Sequence, residues 1–159
     1  MTTVGARLNR LVEEKVHDTY TIKKKLSEPT VCPSCNAVYH KGHWQWLDVP
    51  NNAEEHKCPA CLRIEDKVPC GYITISGDFY RQHKDEIMGL IRNKENREKT
   101  GHPLNRIMDM IETDDGLEIT TTDMHLPRDI GVALEHAYDG TLDYHYEAGS
   151  NILRVKWSR

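Results

Sequence analysis

The spacing of apolar positions along this 159-residue chain changes character at about residue 70. From Cys70 onward GYITISG alternates apolar and polar side chains, the period of a strand with one buried face. Phe79, His83, Ile87, Leu90 and Ile91 then recur at helical spacing, with Arg81, Lys84, Glu86 and Arg92 left for the solvated side. NREKTGHP closes that helix, because Gly101 can supply a C-terminal stop and Pro103 cannot continue the helix. RIMDMIE and LEITTT flank TDDG, where Asp115-Gly116 favours a tight turn and hence a hairpin. Asp123 is placed to cap a second helix, Pro127 falls in its first turn, and Leu126, Ile130, Leu134 and Tyr138 form its apolar stripe. Leu142, Tyr144 and Tyr146 share one strand face, and Leu153, Val155 and Trp157 share another across the turn AGSN. The order β-α-β-β-α-β plus one extra C-terminal strand predicts an α+β fold, a ferredoxin-like split βαβ domain over residues 70–159.

The preceding residues follow no such period. Residues 1–30 carry basic clusters at Arg7 and Arg10 and at Lys23, Lys24 and Lys25, with few large apolar side chains between them. Such a segment does not bury enough surface to fold alone, so a basic extended arm is expected, either solvated or ordered on a partner. Residues 31–69 are organised by cysteine. Cys32-Pro-Ser-Cys35 and Cys58-Pro-Ala-Cys61 each hold two sulfurs close together, and four thiolates in a tetrahedron suit one zinc ion. The 22 residues between the pairs suit a zinc ribbon, and Asn36 tolerates the left-handed backbone that a knuckle turn requires. Two complete pairs leave no vacancy for His40, His43 or His56, and Cys70 reads as a small buried hydrophobe instead of a fifth ligand.

Five cysteines, four of them in CxxC steps, point to metal and not to a disulfide framework. The chain has no run of about 18 apolar residues, and MTTVGARLNRLVEEK lacks the zones of a secretory signal, so a cytoplasmic protein with no membrane partner is expected. The net charge of −4 divides unevenly, +1 over residues 1–69 and −5 over 70–159. Any nucleic-acid contact must therefore be local and belong to the first half.

A four-thiolate site has no open position for water or substrate, so the zinc is expected to be structural. TTTDMH, with Asp123 and His125, is the most enzyme-like run, and strand threonines followed by a helix cap account for it equally. The expected protein is not an enzyme and has no small-molecule substrate. Around the first knuckle, Tyr39, Lys41, His43 and Trp44 place stacking groups and cations on one short hairpin, and Arg63 follows the second knuckle. Together with Arg7, Arg10 and Lys23 to Lys25 they are the candidate RNA-contacting residues. Packing of Trp44 or Trp46 against the neighbouring domain is the competing expectation for those rings.

VCPSCNAVYHKGHWQW, CPACLRI, GYITISGDF and LEITTTDMHLPRDIG resemble a small bacterial zinc-ribbon family. More distantly, residues 31–80 resemble the amino-terminal part of the large-ribosomal-subunit export adaptors of archaea and eukaryotes. The resemblance implies Cys32, Cys35, Cys58 and Cys61 as ligands and association with the ribosome, with ribosomal-protein contacts beside the RNA. The resulting expectation is a ribosome- or RNA-associated factor in biogenesis, translation or dormancy. A protein–protein adaptor that binds no RNA is the alternative.

Overall fold

The computed structural model describes Tyr20 and residues 25–159. Arg7, Arg10, Lys23 and Lys24, and with them most of the expected arm, lie outside the described residues. The described chain is a mixed α+β structure with two sheets and four helices.

The smaller sheet is built from β1 (Thr30–Val31), β2 (Val38–His40), β3 (His43–Gln45) and β4 (Glu54–Glu55), in the order β3-β2-β1-β4. β2 and β3 form an antiparallel hairpin, turned by Lys41 at φ 51° and Gly42 at φ 82°. The Glu28 carboxylate accepts the Lys41 and Gly42 amides at 3.2 and 2.9 Å, fastening the turn to the chain entering β1. Between β1 and β2, the Asn36 amide donates to Cys32 O at 2.8 Å and the Cys32 amide donates to Ala37 O at 2.9 Å. Asn36 closes this knuckle with φ 65°, the left-handed geometry expected of it.

The second cysteine pair does more than turn the chain. It opens a helix, α1 (Pro59–Asp66), that the apolar spacing did not predict. Cys58 occupies the N-cap and its sulfur accepts the Cys61 amide at 3.4 Å, while Pro59 fits the first turn because its missing N–H is not needed there. Lys67 ends α1 in the left-handed region at φ 56°.

The larger sheet contains β5 (Gly71–Ser76), β6 (Ile107–Glu112), β7 (Gly116–Thr121), β8 (Thr141–Glu147) and β9 (Ile152–Ser158), ordered β6-β7-β5-β9-β8. β7 is antiparallel to β5 and β6, whereas β9 runs parallel to β5 and antiparallel to β8. The last strand thus lies inside the sheet, between β5 and the edge strand β8. Its register places Leu117, Ile75 and Trp157 in one row and Ile119, Ile73 and Val155 in the next. Ile87 and Ile91 of α3 (Lys84–Gly101) join these rows in one buried cluster, as do Leu126, Ile130 and Leu134 of α4 (His125–Tyr138). Fully burying side chains of this size contributes about 1.5–3 kcal/mol each.

The expected single helix after β5 is divided. α2 (Asp78–Gln82) stops at His83, whose backbone leaves helical geometry at φ −122° and whose ring stacks on Phe79 at 4.0 Å, before α3 begins. On β8, Leu142, Tyr144 and Tyr146 pair in register with Trp157, Val155 and Leu153, but Tyr144 and Tyr146 are exposed.

Candidate metal centre

The two knuckles bring Cys32, Cys35, Cys58 and Cys61 together, and their sulfurs all lie within 4.8 Å of one another. Four thiolates held at about 2.3 Å from a divalent ion form a tetrahedron whose S···S edges are about 3.8 Å. The Cys35 and Cys58 sulfurs are 3.8 Å apart, so these residues could hold a metal ion with little rearrangement. Cys32, Cys58 and Cys61 are buried and Cys35 is half-buried. Ala37, Trp44 and Ala60 pack around them, with Leu26, Tyr39 and Leu104 outside.

Burial and local hydrogen bonds act on these thiols in opposite directions. Burial pushes the Cys58 thiol up, with the neighbouring Cys35 and Cys61 adding to the shift, and burial also raises Cys61. At Cys32 burial acts the same way, but backbone hydrogen bonds from Cys58, Cys35 and Ser34 outweigh it and bring the thiol down to about 7. A buried group of thiols resists ionising unless positive charge enters.

Part of that charge is supplied by the protein itself, from a residue the sequence did not single out. Arg106, only 8% exposed, lies where the α3–β6 connection reaches the larger sheet. Its Nη1 donates to Cys61 Sγ at 3.3 Å, and its Nη2 donates to Cys35 Sγ at 3.2 Å and Cys58 Sγ at 3.4 Å. Its Nε donates to Pro103 O at 2.7 Å, so every arm of the guanidinium is engaged. Burial alone would lower the Arg106 pKa, but the cysteine sulfurs reverse that and hold it above its ordinary value.

No family model, curated protein or solved structure matches this chain.

The candidate RNA-contacting residues fall into two groups. Lys25, Lys41 and His43 are exposed, the last two at the tip of the β2–β3 hairpin. Tyr39, Trp44 and Arg63 are instead drawn inward. Trp44 is 8% exposed and meets Tyr39 edge-on, with ring centroids 5.5 Å apart. Arg63, also 8% exposed, donates to Val68 O at 3.2 Å and lies over the Tyr20 ring at 4.4 Å. All three line a cleft of about 390 Å³ between the small sheet and the larger one. Asn105, Thr122, Asp123, His125 and Asn151 are among the residues of its opposite wall.

Asp123 caps α4. Its Oδ2 accepts the His125 and Leu126 amides at 2.8 and 3.0 Å, while Oδ1 is buried without a partner among the described residues and burial raises the carboxyl's pKa. Cys70 is 6% exposed and its thiol faces Asn151 O at 3.7 Å, outside the four-sulfur group. Among the described residues no helix is long and apolar enough to cross a membrane.

Proposed function

We propose that this chain is a non-enzymatic, ribosome- or RNA-associated factor. In this reading Cys32, Cys35, Cys58 and Cys61 hold one structural zinc ion in a ribbon-type unit. The domain beyond residue 70 is an elaborated, ferredoxin-like split βαβ module that contacts protein. Four sulfurs within 4.8 Å of one another support zinc over harder metals, which prefer oxygen ligands. A closed thiolate set argues against catalysis at the metal.

The observation that carries the RNA reading is the cleft between the two sheets together with the hairpin beside it. Tyr39, Trp44 and Arg63 line the cleft together with Asn105 and Asn151. Aromatic rings beside amide donors and acceptors are the chemistry that accepts an unpaired base. Lys25 and the exposed Lys41 and His43 would meet the phosphates. The acidic larger domain would keep the chain off nucleic acid in general, so binding would depend on this local surface.

Cosedimentation with ribosomes across a salt series tests the proposal. Retention at low salt that falls as salt rises is expected, and a Lys25→Glu, Lys41→Glu chain should bind more weakly with a shallower salt dependence. No cosedimentation even at low salt would sink the idea.

A protein–protein adaptor is the second reading, favoured by the run of Trp46, Leu47 and Val49, which are 38, 44 and 47% exposed. An adaptor should keep its partner in the charge-reversed chain and lose it when Leu47 and Val49 become polar.

A further inference from the structure

Arg106 belongs to one half of the molecule and its guanidinium is spent on the other. On the sheet side it is fixed through its backbone, because its amide donates to Thr122 Oγ1 at 2.9 Å and its carbonyl accepts the Thr122 amide at 2.9 Å. Thr122 Oγ1 in turn donates to Leu104 O. From that anchor the side chain reaches sulfurs of both CxxC pairs, at 3.2 to 3.4 Å. Thr122 directly follows β7, so the contact ties the knuckles to the end of the sheet.

We propose that Arg106 makes the thiolate centre a latch between the two units, so that metal loading and docking of the cysteine-bearing unit onto the larger sheet are one linked equilibrium. The inference rests on reading the four cysteines as a metal centre, and it is independent of whether the chain binds RNA.

The physical argument is one of charge. Four thiolates around a divalent ion carry a net charge of −2, and a buried guanidinium brings this to −1. Hydrogen bonds from an ionised donor to anionic acceptors are stronger than neutral ones. Without the metal-bound thiolates the same guanidinium is a buried cation facing poor acceptors, which is costly, so the docked arrangement is weakened at this contact while the Trp46 Nε1 bond to Lys99 O at 2.6 Å remains. If the metal favours docking, docking must tighten metal binding by the same factor. Arginine suits this role because its planar fork serves three sulfurs from one rigid group, whereas lysine offers a compact point charge. The latch also governs the cleft. Leu104, Asn105 and Thr122 in its wall surround Arg106, while Tyr39 and Trp44 come from the other unit, so the cleft exists only when the two are docked.

The experiment uses the full chain loaded with zinc, removal of zinc by a chelator, and amide NMR as the readout. In the wild type the Thr122 and Ile107 amides, on the sheet side of the latch, should shift as zinc is withdrawn. Amides at the far end of the same sheet, such as Ser76 and Thr141, should stay in place. Competition with a chromogenic chelator should show Arg106→Gln binding zinc about 10–100-fold more weakly, with Arg106→Lys in between. In Arg106→Gln, zinc removal should no longer move the Thr122 amide.

Zinc bound with Thr122 and Ile107 unmoved on its removal would overturn the latch while leaving the metal reading intact. So would an Arg106→Gln affinity within twofold of the wild type. A chain that takes up no zinc would overturn both. If Arg106→Gln fails to fold, the wild-type titration and Arg106→Lys decide the matter.

Discussion

Two glycines lie inside the two long helices, and the same substitution should have opposite effects at them. In α3, a Cβ added at Gly89 meets nothing within 4 Å. Alanine there keeps the helix and removes the backbone entropy of glycine, a gain of about 0.8–1 kcal/mol. In α4, a Cβ at Gly131 would lie 2.8 Å from Leu142 Cδ1 and 2.9 Å from Val155 Cγ1. Leu142 is half-buried on an edge strand and can move, but Val155 is 1% exposed and sits between Ile73 and Tyr144 in register. A β-branched side chain in that position has little rotamer freedom. Overpacking of this kind costs about 1–3 kcal/mol, against the same propensity gain of about 1. Gly131→Ala should therefore be destabilising by up to about 2 kcal/mol and Gly89→Ala stabilising by about 1. In a chain of this length the two should differ in Tm by several degrees, at roughly 2–4 °C per kcal/mol. Thermal and urea unfolding of the zinc-loaded chains, followed by far-UV circular dichroism, would measure the difference. Equal stabilisation by both substitutions would refute the close seating of α4 on β8 and β9. That seating also sets where Asp123, at the start of α4, meets the cleft.

Further outcomes follow from the site. Elemental analysis should find one zinc per chain, lost in Cys58→Ser and retained in Cys70→Ser, because the Cys70 thiol lies outside the four-sulfur group. Zinc removal should melt the cysteine-bearing unit while the larger sheet, which has its own apolar cluster, keeps its circular dichroism signal. Asp123→Ala should cost about 1 kcal/mol through loss of the α4 cap, whereas Asp123→Asn keeps an acceptor oxygen for the cap. The Asp123 pKa is raised by burial above its ordinary 3.8, so its neutral form favours the folded state and that contribution is lost as pH rises through the folded value. The stability of Asp123→Asn relative to wild type should consequently grow as pH climbs from about 4, as read from urea midpoints at several pH values.

Local features were well marked in the chain because each depends on neighbours a few residues away. The left-handed Asn36, the Asp123 cap and the alternation of β5, β7 and β9 are of this kind, whereas α3 ends at His102 with Gly101 still helical and not as a left-handed glycine stop. Helix α1 is not legible in the sequence because its eight residues overlap the CPAC turn and bury only Ala60, Cys61 and Arg63, too short a stripe to form a period. The break at His83 was hidden for a related reason: the ring holds a helical position in the pattern while its backbone leaves the helix. For Trp44 the sequence left both RNA stacking and packing open, and Arg63 read as a contact residue; in the structure Trp44 packs with Ala37, Ala60 and the cysteines and Arg63 donates to Val68 O, contacts that no local period announces.

By itself the sequence determined the four sulfurs, their pairing into two knuckles and the faces that the later strands and helices bury. These are short-range matters, set by CxxC spacing and by periods of 2 and 3.6 residues. Only the tertiary structure decided that β9 inserts beside β5, that Tyr39 and Trp44 wall a cleft, and that Arg106 closes over the cysteine sulfurs. Arg106 and Cys35 are separated by 71 residues. No local pattern encodes such a contact, because it depends on how two separately formed units dock, and that is fixed by buried charge and by packing across their interface.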